Sequence, residues 1–240
     1  MLYSFLLEFV DIFSFLNVFK YITFRVGLAV FTSLIIVLII GGPFIKMVSQ
    51  NKFVNPIRDD GPEDHIIKKI GTPTMGGLVI LIGIILSVLL WADIKNIYIL
   101  FILYILVSFG LLGAIDDYKK IKNNNSNGVS LKFKLLSQII IATIGISFLT
   151  YYLDYKEFTN LYFPFFKDLF INLGWFFIPF SLFVIIGASN AVNLTDGLDG
   201  LATVPVILVA ACFAFISYVS GNIIFSEYLQ IIYLEGTGEI

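Results

Sequence analysis

The chain has 240 residues, 58% of them hydrophobic and 13% charged, with a formal net charge of -2. Soluble domains run at about 45–50% apolar and about 25% charged, so a mean hydropathy of +0.94 excludes an ordinary soluble domain and indicates an integral membrane protein. The near-neutral charge, without a basic stripe, argues against a nucleic-acid partner, and a single cysteine, Cys212 in an apolar run, excludes an intramolecular disulfide.

Residues 1–20 carry Phe5, Leu6, Leu7, Phe9, Ile12, Phe13, Phe15 and Leu16, interrupted by Glu8 and Asp11, a pattern that predicts an interfacial helix. With no basic region and no small-residue cleavage site, this start does not read as a cleaved signal peptide. A spanning helix takes about 20 predominantly apolar residues. Six segments qualify: 24–47, 73–92, 97–115, 133–153, 171–191 and 200–220. The predicted fold is an all-α membrane protein, a polytopic helical bundle. Residues 1–240 read as one membrane-embedded domain without a soluble domain or internal repeat.

Lysine and arginine set the orientation. Loop 48–72 holds Lys52, Arg58, Lys68 and Lys69, and loop 116–134 holds Lys119, Lys120, Lys122, Lys132 and Lys134. With alternating helices these loops share a side with 192–199, which the excess of positive charge assigns to the cytoplasm. The opposite loop, 154–170, is rich in aromatics (Tyr155, Phe158, Tyr162, Phe163, Phe165, Phe166), the residue type that anchors at headgroups.

Ionisable residues next to lipid point to a functional site, and four acids stand there: Asp116, Asp117, Asp196 and Asp199. Paired carboxylates at a membrane face suit a divalent cation and phosphate chemistry. In Asp116-Asp117-Tyr118-Lys119-Lys120, neighbouring helix positions point about 100° apart, so one carboxylate can bind metal while the other orients it or acts as a base; an interfacial acid–lysine pairing is the structural alternative. In 190–201, Asn193, Asp196 and Asp199 recur every third residue and would share a helix face, although Asn, Asp and Thr also serve as helix caps. Lys68 and Lys69 precede Thr72-Pro73, a cap and first-turn pattern; a helix start with nearby lysines attracts phosphate, although ordinary capping with positive-inside lysines is the preferred reading of this cluster taken alone. Lys132 and Lys134, entering the fourth helix, either hold a phosphate or anchor that helix. His65 is the single histidine, so no histidine-based metal site can form within this chain.

Taken together, Ile57-Arg-Asp-Asp-Gly-Pro-Glu-Asp-His65, Lys69-Ile-Gly-Thr-Pro-Thr-Met-Gly-Gly77, Gly113-Ala-Ile-Asp-Asp-Tyr-Lys-Lys120 and Asn190-Ala-Val-Asn-Leu-Thr-Asp-Gly-Leu-Asp-Gly-Leu201 resemble the motifs of the bacterial phospho-N-acetylmuramoyl-pentapeptide transferases. These belong to the wider superfamily of polyprenyl-phosphate sugar-phosphate transferases. The resemblance runs the length of the chain, and Gly-Thr-Pro-Thr-Met-Gly-Gly is its most selective part. It implies transfer of a phospho-sugar from UDP-N-acetylmuramoyl-pentapeptide to undecaprenyl phosphate, giving lipid I and UMP with Mg2+, at the cytoplasmic face of the bacterial inner membrane, by a homodimer. By the same resemblance Asp116 and Asp117 are the catalytic and metal-placing carboxylates. Asn193, Asp196 and Asp199 line the nucleotide and pyrophosphate site, Lys69 and Thr74 contact the uridine side, and Lys120 and Lys134 offset phosphate charge.

The family has about ten helices, and its later motifs, a Gly-Asp-Thr-Gly stretch with a metal-ligating aspartate and a histidine-rich loop, are not found in 1–240. The expectation is a chain incomplete at its C-terminus and inactive or severely impaired alone. Two other classes explain intramembrane acids: a non-catalytic remnant, and a transporter, whose acids usually lie near the midplane on broken helices.

Overall fold

The computed structural model describes residues 2–50, 75–123, 128–153, 158–163, 166, 169–195 and 200–240. Its elements are α1 (Leu2–Glu8), a 3₁₀ segment (Ser14–Lys20), α2 (Ile22–Gln50), α3 (Gly77–Trp91), α4 (Ile97–Asn123), α5 (Leu131–Tyr152), strands β1 (Asn160–Tyr162) and β2 (Phe170–Asn172), then α6 (Phe177–Thr195), α7 (Thr203–Ser220) and α8 (Ile223–Leu229). The protein is a polytopic helical membrane protein. Among the described residues, five segments are long and apolar enough to cross a bilayer: α2, α4, α5, Gly174–Thr195 and α7. Their large side chains stay uncovered, Leu38 at 70% and Phe213 at 64% exposed, as lipid-facing surface requires when lipid rather than protein is the apolar phase.

The sixth expected span, 73–92, is shorter than the sequence pattern suggested. α3 has 15 residues, about 22 Å of helix against a hydrocarbon core of about 30 Å. Met75 sits at φ 67°, in the left-handed region, and the described helix starts at Gly77; Thr72 and Pro73 lie outside the described residues. Two further expectations are corrected at element ends. The span expected over 171–191 begins with β2 and a 3₁₀ turn at Gly174–Phe176, because Gly174 takes φ 50° and donates its N–H to the Asn172 side chain at 3.0 Å. β1 and β2 pair antiparallel in the register Asn160↔Asn172, Leu161↔Ile171, Tyr162↔Phe170, a small exception among described elements that are otherwise helical. The N-terminal region is a short helix and a 3₁₀ segment instead of one interfacial helix.

The chain divides into two compact units, Met1–Ala92 with Leu106–Ser137, and Asp93–Ile105 with Gln138–Ile240. In the first, α2 and α3 approach at Gly83, where a Cβ would press on Val37 and the Ser33 carbonyl. Beyond that contact, the Trp91 indole N–H donates to Thr32 Oγ1 at 3.0 Å. Arg25 donates to the Trp91 carbonyl at 3.2 Å and lies 4.1 Å from the centre of the Tyr3 ring. Gly110 lets α4 reach Leu81 of α3 in the same way. In the second unit, Gly145 of α5 faces Phe101, Tyr104 and Ile105, and the Tyr104 hydroxyl donates to the Ile141 carbonyl at 3.2 Å. Asn96 caps α4 through the Tyr98 N–H at 2.8 Å and donates to the Gly236 carbonyl at 2.7 Å.

Candidate functional site

The helix carrying the acidic pair outlasts its apolar run. α4 continues to Asn123, so Asp116 and Asp117 stand inside it, about two turns before its end. Continuation has a local cause. Lys120 lies one turn on, and its Nζ reaches Asp116 Oδ2 at 2.6 Å and Asp117 Oδ1 at 3.3 Å, the i,i+4 and i,i+3 pairings that stabilise helices. One ammonium thus bridges two carboxylates that would otherwise repel at the edge of a low-dielectric phase. Tyr118 and Lys119 of the same turn are exposed.

A second element closes on Asp116. After the undescribed residues 124–127, the turn 128–130 enters α5, and the Val129 N–H donates to Asp116 Oδ1 at 2.6 Å. Ser130 begins that helix: its Oγ accepts from the Phe133 N–H at 3.4 Å and its carbonyl from the Lys134 N–H at 2.9 Å. Lys134 adds a second positive charge to the field at Asp116. The side chains are 16% exposed at Asp116, 36% at Asp117 and 25% at Lys120. Asp117 is therefore the more open carboxylate, and Asp116 is engaged at both oxygens.

Of the remaining predicted site residues, Asn193 is among those described. α6 runs through Thr195, so Asn193, expected in a loop, lies exposed on the last helical turn. Asn190, one turn earlier, donates to Gln138 Oε1 at 3.0 Å and to the Ile186 carbonyl at 2.9 Å; Gln138 is only 2% exposed. Lys69, Thr74, Asp196 and Asp199 lie outside the described residues. Sequence reasoning missed the roles of Val129 and Gln138. The first had no side-chain signal, whereas a glutamine within the apolar run of α5 did signal a buried polar partner.

Among the described residues no group of three or more His, Cys, Asp or Glu side chains could hold a metal. Mg2+ uses one or two carboxylates completed by substrate phosphates more often than an all-protein cage, and Asp116 with Asp117 supplies that donor set. The residues fit a cation shared with a phosphorylated substrate. Such a site, with both signs of charge at one helix end, can bind and neutralise phosphate.

Comparison with known proteins decides the family: the model for glycosyl transferase family 4 matches residues 98–236. The chain belongs to glycosyl transferase family 4. Its matched region includes the acidic pair, Lys120, Lys134 and the whole 190–201 motif. The phospho-N-acetylmuramoyl-pentapeptide-transferase signature 1 matches residues 69–81, which include Lys69 and Thr74. A curated phospho-N-acetylmuramoyl-pentapeptide-transferase from Pelagibacter ubique (strain HTCC1062) is 68% identical over 240 residues. That alignment covers 100% of this chain and 66% of the relative, so this family 4 chain spans about two thirds of its length.

Proposed function

We propose that the protein transfers phospho-N-acetylmuramoyl-pentapeptide from its UDP carrier to undecaprenyl phosphate, releasing UMP and forming lipid I, the first membrane step of peptidoglycan synthesis. The observation that carries this reading is the Asp116–Asp117–Lys120 cluster at the end of a membrane helix. Two phosphates can meet only where their charge is offset, and this helix end holds cations and carboxylates within one turn. The signature over 69–81 and the name of the 68% identical relative support the choice of sugar and carrier.

In this reading Asp116 and Asp117 are the catalytic carboxylates and would hold Mg2+, which supplies charge neutralisation between the reacting phosphates when bound. Lys120 and Lys134 offset the remaining phosphate charge. Asn193, Asp196 and Asp199 line the nucleotide and pyrophosphate side, and Lys69 with Thr74 contacts the uridine. The distribution of lysine and arginine supports a cytoplasmic-facing site in the bacterial inner membrane. The resemblance set out from the sequence supports a homodimer.

The test is passage of radiolabelled phospho-sugar from the UDP carrier into butanol-extractable lipid, with equal release of UMP. It is run in membranes holding this chain and a version extended over the rest of the relative's length. Label in lipid that depends on Mg2+ and on Asp117 upholds the reading. An extended chain that leaves the lipid unlabelled refutes it.

A further inference from the structure

The contact between the turn 128–130 and α4 is the one feature of the acidic cluster that side-chain chemistry does not account for. Asp116 is held at Oδ2 by Lys120 and at Oδ1 by the Val129 N–H, 2.6 Å away in each case. A short side chain fixed at both oxygens cannot rotate without breaking a bond, so its rotamer is set from outside its own helix. Gly128 makes the approach possible. A Cβ there would collide with the Asp116 carboxylate, and glycine alone lets backbone lie this close. On its far side the turn is secured to α5 by Ser130, through the Phe133 and Lys134 amides.

We propose that Gly128 and Val129 are positioning residues for the transfer reaction, holding the Asp116 carboxylate in its working orientation through a backbone amide. The proposal rests on Asp116 acting in that reaction. Lys120 alone does not supply the same constraint, because its flexible stem can follow a carboxylate that swings. A backbone N–H at the start of a capped helix cannot follow. Misplacement of a reacting group by about 1 Å is enough to lower a rate about 10²-fold.

Gly128→Ala tests this in the chain that supports lipid-linked transfer. The three atoms nearest the new Cβ all belong to the Asp116 carboxylate, the far end of a side chain, so the carboxylate is the group expected to move. The expected result is a kcat lowered about 10- to 100-fold, with KM for the UDP substrate within about twofold. A kcat within about twofold of the parent, or a raised KM at unchanged kcat, overturns the proposal. Thermal melting in detergent supplies a readout independent of turnover. In an Asp116→Ala background the colliding atoms are gone, so any loss of melting temperature caused by Gly128→Ala should disappear, as expected for coupled neighbours. An equal loss in both backgrounds overturns the proposal, because Gly128 would then serve the turn itself. Asp116→Ala at the parental rate would instead sink the functional reading of Asp116, an outcome distinct from a silent Gly128→Ala beside a damaging Asp116→Ala.

Discussion

The polar ends of α4 and α6 are held by different chemistry. At the end of α4, Lys120 bridges Asp116 and Asp117, and the Val129 amide takes the remaining Asp116 oxygen. At the end of α6 the fixed group is an amide, Asn190, tied to the buried Gln138 and to its own helix, while Asn193 one turn later stays exposed. Ionised groups beside lipid are expensive unless paired, so the acidic end brings its own cation and gains rigidity from it. A neutral amide needs only a hydrogen-bond partner, and its helix end can stay open. The first end is pre-set for charge; the second is exposed for contact.

If that contrast is right, the largest loss comes from the carboxylates. Asp117→Asn keeps shape and removes charge from the more exposed acid, and lipid-linked transfer should fall about 10²–10⁴-fold, the range for a positioned acid–base group. Parental activity in a steady-state assay would mean that the α4 end is a structural ion-pair site. Lys120→Met comes next. It removes the bridge and leaves two neighbouring carboxylates repelling each other, with an expected fall in kcat of about 10²-fold, typical of losing one preorganised electrostatic group. Lys120→Arg should recover part of that loss, since charge is kept while the bridging geometry is altered. A Lys120→Met protein as active as its parent would remove phosphate and carboxylate neutralisation from this residue.

Much of this arrangement was legible in the sequence, for a physical reason that also sets its limit. Hydropathy reports which residues prefer lipid, and the apolar cores of α2, α4, α5, α6 and α7 fall where that preference puts them. Helix ends follow hydrogen bonding and side-chain pairing instead. α4 outlasts its apolar run because Asp116 and Lys120 pair along it, and α6 passes through Asn193 to Thr195. The β1–β2 hairpin was hidden because its aromatic surroundings also suit a headgroup anchor. Asp116 and Asp117 stood out as candidate site residues because charge beside lipid is rare. The amide that holds Asp116 comes from thirteen positions away, and a backbone N–H looks the same at every residue.

The smallest effect expected lies at the amide end, and it separates scaffold from site. Asn190→Ala leaves Gln138, 2% exposed, without its Asn190 donor. Interhelical polar pairs in membranes are worth about 0.6–2 kcal/mol, so thermal melting in detergent should drop by a correspondingly modest amount. Gln138→Leu alone should also destabilise, because it removes the Asn190 amide's partner on α5 and leaves it only the Ile186 carbonyl of its own helix. The Asn190→Leu, Gln138→Leu double variant should lose less than the sum of the two single leucine variants, since an apolar pair leaves no polar group unsatisfied. Strict additivity would show that the 3.0 Å contact contributes nothing to holding α6. The rigidity of that helix end would then have to come from packing alone, and its difference from the lysine-bridged end of α4 would be larger still.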